Sequence, residues 1–141
     1  MIFDYIFIAP VASLLVAMIF KNILFWYKDK KVSVDYVLAD GGMPSAHSAT
    51  MAGLTMALFF SEGLDPVFYL SLFVTLIVFR DATGVRLESS KQAALLNKML
   101  KKSEPHHKLL KELIGHTRRQ VFAGAIIGVI VSSLLFIMMI I

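Results

Sequence analysis

Two histidines stand where apolar stretches begin, each among groups that bind anions. His47 lies in GGMPSAHSAT, Gly41–Thr50, and His116 opens GHTRRQVFAGAIIG, Gly115–Gly128. In the first segment two glycines allow a backbone that other residues resist. Pro44 fits a helix start and Ser45 can cap it, which predicts His47 in the first helical turn. Backbone N–H groups and the helix dipole there favour an anion, and Ser45, Ser48 and Thr50 add hydroxyl donors. In the second segment Thr117 and Gln120 have capping-box spacing, and Arg118 and Arg119 adjoin the histidine. Two imidazoles on one face suit a two-step phosphoryl transfer: one ring nitrogen attacks phosphorus and the other protonates the leaving alkoxide. Either ring can take either role, because the histidine pKa lies near neutrality. The plainer alternative is a turn before a membrane helix, with His47 at the water interface.

The rest of the chain must bring these segments together. Of its 141 residues 57% are hydrophobic, and its mean hydropathy is +0.74, above the usual composition of a soluble domain. An all-α, polytopic membrane bundle follows, as a single domain over 1–141 with spans at about 2–27, 44–61, 66–79 and 120–141. The first stretch lacks the positive start and the cleavage pattern of a signal peptide. Lys21 near its end is expected to snorkel to the interface beside Trp26 and Tyr27. Lys28–Met43 is a polar connection, and Glu62–Asp65 a tight acidic turn. Pro66–Phe79 holds 14 uncharged residues, about 21 Å of helix, so 44–79 reads as two short spans, with a re-entrant hairpin as the alternative. Region 80–119 is polar. Within it Glu88–Lys102 predicts an amphipathic interfacial helix with Ala93, Leu96, Met99 and Leu100 on one face. Pro105–Ile114 predicts a short helix ended by Gly115.

Charge sets the expected orientation. All 14 Lys and Arg fall within 21–31 and 80–119. Four spans with both termini outside put every one of them on the cytoplasmic side, of the cell membrane by expectation. The same face then carries the loop before His47, the Arg80–Arg86 region and Gly115–Gln120. The absence of cysteine excludes disulfides and thiolate chemistry. No aromatic and basic interleaving of a nucleic-acid binder occurs. Among His47, His116 and Asp81 no pair has the i, i+3 or i, i+4 spacing of a metal site on one helix, so no metal or cofactor is expected. Gly124 and Gly128, like Ala49 and Gly53, have the small-residue spacing of close helix packing. That spacing fits either a homo-oligomer or packing of the second span on the last.

PSAH at Pro44–His47 resembles the PSGH motif of the type 2 phosphatidic acid phosphatases, the superfamily that includes vanadium haloperoxidases. GHTRRQVFAG resembles the family's third motif. More closely, the chain is similar to a small, divergent bacterial and plant branch known as acid phosphatase/vanadium haloperoxidase-related. It shares GGMPS-x-HSA, the RDATGVR type of segment at Arg80–Arg86, the Gln92–Asn97 stretch and GHT. The resemblance implies that His116 is a nucleophile forming a phosphohistidine and His47 the general acid. It implies that Ser45 and the backbone at Ala46 and His47 contact phosphate.

The chain also departs from the pattern. Ala46 replaces the usual glycine, and Gln120 replaces the acid that orients the nucleophile. Upstream of Gly41 the first motif's Lys and Arg-Pro have no match, and Leu109-Leu110 fills the spacing of the third motif's Ser-Arg pair. Arg86 is the favoured replacement cation, beside Asp81 and Gly84, with Arg80, Arg118 and Lys111 as alternatives. The expected site is therefore His116, His47 and Gln120 for catalysis, with Ser45, Ala46, Ser48, Asp81, Arg86 and Arg118 binding substrate.

The expected activity is hydrolysis of a lipid phosphate or phosphorylated amphiphile. Phosphatidic acid, phosphatidylglycerophosphate and a polyprenyl phosphate all fit. The partners expected are that substrate and membrane lipids, with no nucleic acid. Two other readings stay open: a non-catalytic binder of lipid phosphate, and a small oligomeric scaffold or transporter subunit.

Overall fold

A computed structural model describes residues 2–29, 41–104 and 106–141. They form five helices: α1 Ile2–Asp29, α2 Ala46–Glu62, α3 Pro66–Thr83, α4 Val85–Ser103 and α5 Arg118–Ile140. No strand occurs among the described residues. The chain is all-α, as its hydropathy pattern implies. Asp4–Tyr27, Pro66–Ser103 and Arg118–Ile140 are each long and apolar enough to cross a membrane. The second of these joins α3 to α4 with a turn only at Gly84. Helix α2, at 17 residues, is about 25 Å long.

Helix α2 is the centre of the bundle. It packs chiefly on α5, then on α1 and α3, while α1 also meets α5 and α4 leans on α3. The reason lies in where small residues fall. Lipid tails are as apolar as leucine, so helices in a membrane associate through close packing and polar contacts rather than hydrophobic gain. Every fourth residue of α1 from Tyr5 is buried: Tyr5, Ala9, Ser13, Ala17 and Lys21. On α5 the buried residues are Val121, Gly124, Gly128 and Ser132. A Cβ at Gly124 would overlap the Ser45 carbonyl, and one at Gly128 the Ala49 carbonyl. The GxxxG spacing therefore packs α5 on α2 within one chain. Polar side chains join the helices further: Tyr5 donates to the Ser132 carbonyl at 2.9 Å, and the Thr55 and Thr75 hydroxyls lie 2.9 Å apart.

Several boundaries move. Helix α1 runs on to Asp29, α2 begins at Ala46 with Ser45 as its cap, α3 continues through Thr83, and α5 starts at Arg118. The amphipathic helix is present as α4, but it buries Ala93 and Asn97 and leaves Leu96 and Met99 exposed. The short helix expected between α4 and α5 does not form among the described residues: 108–117 run without regular structure, because side chains of α4 hold their backbone instead. Lys21 does not snorkel. It is 4% exposed, at the end of the buried stripe of α1. The expected polar connection at Lys28–Met43 lies outside the described residues from 30 to 40, as does Pro105.

Candidate active site

The starts of α2 and α5 are tied together. The Ser45 N–H donates to the Gln120 carbonyl at 3.1 Å, so the two histidine-bearing segments meet. The N-terminal N–H groups of a helix lack intrahelical acceptors. Here Ser45 caps α2, its Oγ accepting from the Ser48 N–H at 3.3 Å. The Ser48 hydroxyl also donates to Ser45 Oγ, at 2.9 Å. Both serines are fully buried. Their hydroxyls thus meet each other at the helix cap. The Ala46 and His47 N–H groups have no acceptor among the described residues.

His47, the second residue of α2, is exposed. His116 is 3% exposed. Both line one hollow of about 250 Å³. Asp81 and Arg86 complete its polar side, and Ile77, Val78 and Ala82 form its apolar wall. Arg86 Nε donates to Asp81 Oδ2 at 2.7 Å, so the carboxylate fixes the guanidinium at the rim. The hollow is below the roughly 300–1,000 Å³ of sites that enclose a drug-sized ligand. A second, larger hollow of about 560 Å³ shares Ile77 and Asp81 with it and continues along Phe73 and Leu76.

His116 is held from both sides. Its N–H donates to the Ala82 carbonyl at 3.0 Å. Its Nδ1 lies 3.1 Å from the Gly42 carbonyl, an acceptor only, so Nδ1 carries the proton in this contact. Gly42 has φ 106°, a conformation other residues rarely adopt. Nε2 is then left with its lone pair. It is buried and without a hydrogen-bond partner among the described residues. Burial is the main cause that lowers the His116 pKa below the ordinary 6.5. The Gly42 carbonyl opposes this, while the charges of Lys21 and His47 add to it. Burial thus favours the neutral ring, which keeps a lone pair at Nε2.

The remaining expected site residues separate. Gln120 acts as a cap: its Oε1 accepts from the Thr117 N–H at 2.7 Å. It lies near enough to His116 to favour the charged ring, as the weakest of the influences there. The group at His116 Nδ1 is thus the Gly42 backbone carbonyl, where Gln120 was expected in place of the family's acid. Arg118 faces a different hollow, with Arg80, Phe79 and Phe122. Lys21 is the group that sequence reasoning passed over. Its place in the four-residue stripe of α1 was the available signal. Gly42 as an acceptor leaves no such mark, since every residue has a carbonyl.

A membrane helical bundle with two histidines on one small hollow, one of them buried and without a partner at Nε2 among the described residues, is the class of protein defined by this fold and site. The chain belongs to the Divergent PAP2 family, whose sequence profile matches residues 2–131. It is 31% identical over 144 residues to the "Uncharacterized membrane protein YuiD" of Bacillus subtilis (strain 168), with 91% of each chain covered. No solved structure matches.

Proposed function

We propose that the protein is a membrane phosphatase that hydrolyses a lipid phosphate or phosphorylated amphiphile through a phosphohistidine. The observation that carries this reading is the unpartnered Nε2 of neutral His116 beside a hollow shared with His47 and Arg86. A buried polar atom without a partner calls for an explanation, and an attacking nitrogen needs a free lone pair. In the first step Nε2 bonds to phosphorus, the ester P–O bond breaks, and His47 gives its proton to the departing alkoxide. In the second, water attacks phosphorus, His47 takes a proton from it, and the P–N bond breaks to release phosphate. Arg86 and the N–H groups of Ala46 and His47 stabilise the equatorial oxygens. The apolar chain of the substrate lies in the larger hollow along Phe73 and Leu76, which adjoins the smaller one at Ile77.

In this reading Lys21 supplies the positive charge for which the family's first motif has no match before Gly41. It is buried at the end of α1, and its charge acts on His116. Lys21→Met should lower kcat/KM by roughly a hundredfold to a thousandfold, the size of one lost electrostatic contact in a dry site. It should also move the acid limb of the pH profile up, because a charge that lowers the His116 pKa is gone. Lys21→Arg should keep the limb in place. A Lys21→Met enzyme with an unchanged rate and profile contradicts the role.

The wild-type pH dependence follows from the same shift. His116 attacks only when neutral, and its pKa is lowered. The acid limb of kcat/KM should therefore lie below pH 6.5, the ordinary value for histidine. A limb above 6.5 would place another group in control.

The chain spans the membrane four times in this account, α2 and α3 crossing as a short pair, with both termini outside. The histidines then face the cytoplasm, with the basic residues of 80–119. The test of function is phosphate release by purified protein in detergent. The panel holds phosphatidic acid, phosphatidylglycerophosphate and a polyprenyl phosphate, each with and without vanadate. Turnover inhibited by vanadate is expected. Binding of these lipids without turnover would favour a non-catalytic binder, a reading supported by the carbonyl that stands where a carboxylate would hold a catalytic imidazole. Neither binding nor turnover would favour a scaffold.

A further inference from the structure

Helix α4 offers two polar side chains on one face, Ser90 and Asn97, seven residues and so about two turns apart. Neither belongs to the hollow, yet both are fully used. Asn97 is 2% exposed. Its Oδ1 accepts from the Leu110 N–H at 2.8 Å. Its Nδ2 donates to the Leu110 carbonyl at 2.9 Å and to Glu112 Oε1 at 2.8 Å. The amide thus pairs with Leu110 as a neighbouring backbone would. The Ser90 Oγ accepts from the Gly115 N–H at 2.8 Å and the Ile114 N–H at 3.2 Å. It donates to the Arg86 carbonyl at 3.1 Å, so one donor and two lone pairs are all engaged. One hydroxyl therefore joins the backbone of the arginine at the rim to that of the residue before His116. From the other side the Gly41 N–H donates to the Leu113 carbonyl at 3.1 Å. At Gly115 a Cβ would overlap the Leu87 backbone, so the segment lies flush on α4.

We infer that Ser90 and Asn97 are positioning residues, which hold the irregular segment 108–117 on α4 so that His116 meets Gly42 with Nδ1 and keeps Nε2 free. Segment 108–117 has no helical hydrogen bonds of its own to set its path. These two side chains fix it at Leu110 and at Ile114–Gly115, one residue before the histidine. The inference deepens the phosphatase reading but concerns the state of the ring, which is measurable without turnover.

The experiment is nitrogen NMR of 15N-histidine-labelled protein in detergent, with His116 assigned by difference from His116→Gln. Wild type should show His116 neutral at pH 7, with the proton on Nδ1. Ser90→Ala keeps a good helix former in α4 and should lose that single tautomer. Its kcat should fall on the order of tenfold, with KM little changed, as expected for a misplaced nucleophile. Ser90→Thr restores the hydroxyl and should restore both. Asn97→Ala should act in the same direction as Ser90→Ala. If Ser90→Ala keeps the wild-type His116 spectrum and titration, the positioning role is wrong, whatever the turnover. If the spectrum changes and Ser90→Thr recovers it while no protein releases phosphate, the positioning stands and the phosphatase reading fails.

Discussion

His116→Ala should reduce phosphate release from lipid phosphates to the background of a vanadate-treated sample. The loss is expected to exceed about a thousandfold, because the nitrogen that forms the covalent intermediate is gone. His47 cannot take over. It is exposed at the rim, while the nitrogen held neutral and unpartnered belongs to His116. His47→Ala should be slowed less, by about a hundredfold to ten-thousandfold, the usual weight of a general acid, and less still for substrates with good leaving groups. The check is a rate series on protein of matched thermal stability. Wild type and His116→Ala with equal rates would end the proposed mechanism.

Gly128→Val should destabilise the bundle by about 3 kcal/mol or more, at or above the upper end for overpacking. The added carbons meet backbone, the Ala49 carbonyl and the Gly53 nitrogen, not the end of a side chain that can turn aside. Helix α5 would have to lift from α2, and with it the Ser45–Gln120 contact that brings the two histidine segments together. Gly63→Ala is the comparison. Gly63 has φ 72° and open space around it, so the cost is only the local strain of a positive-φ backbone, about 1–3 kcal/mol. Thermal unfolding in detergent should rank Gly128→Val well below Gly63→Ala. The reverse order would contradict the packing described here.

The helices could be read from sequence because their signals are local. Apolar runs, the Ser45 cap and the Thr117–Gln120 spacing each act within a few residues, and small residues four apart mark a close contact. The meeting of α2 with α5 was legible in this way at Gly124 and Gly128. Other parts depend on distant partners. Leu109, Leu110 and Leu113 have helical spacing, but Asn97 and Ser90 capture that backbone and the helix does not form. Lysine near the end of an apolar helix usually reaches for water. Lys21 stays inside, and only its register with Tyr5, Ala9, Ser13 and Ala17 announced it. Ser45 and Ser48 carried donors suited to phosphate, but each is the other's partner. Of the expected site, His47, His116, Asp81 and Arg86 share the hollow, while Arg118 faces another.

The central claim is that His116 becomes covalently phosphorylated, and the direct measurement is to trap it. Protein in detergent is mixed with a lipid phosphate labelled on the phosphate, quenched in base within one turnover, and digested for mass analysis. An acid-labile, base-stable phosphoryl group is expected on the peptide that contains His116. None is expected on that peptide in His116→Ala, and none on His47 in either protein. Release of labelled phosphate by wild type with no labelled His116, or label appearing on His47, would contradict the claim.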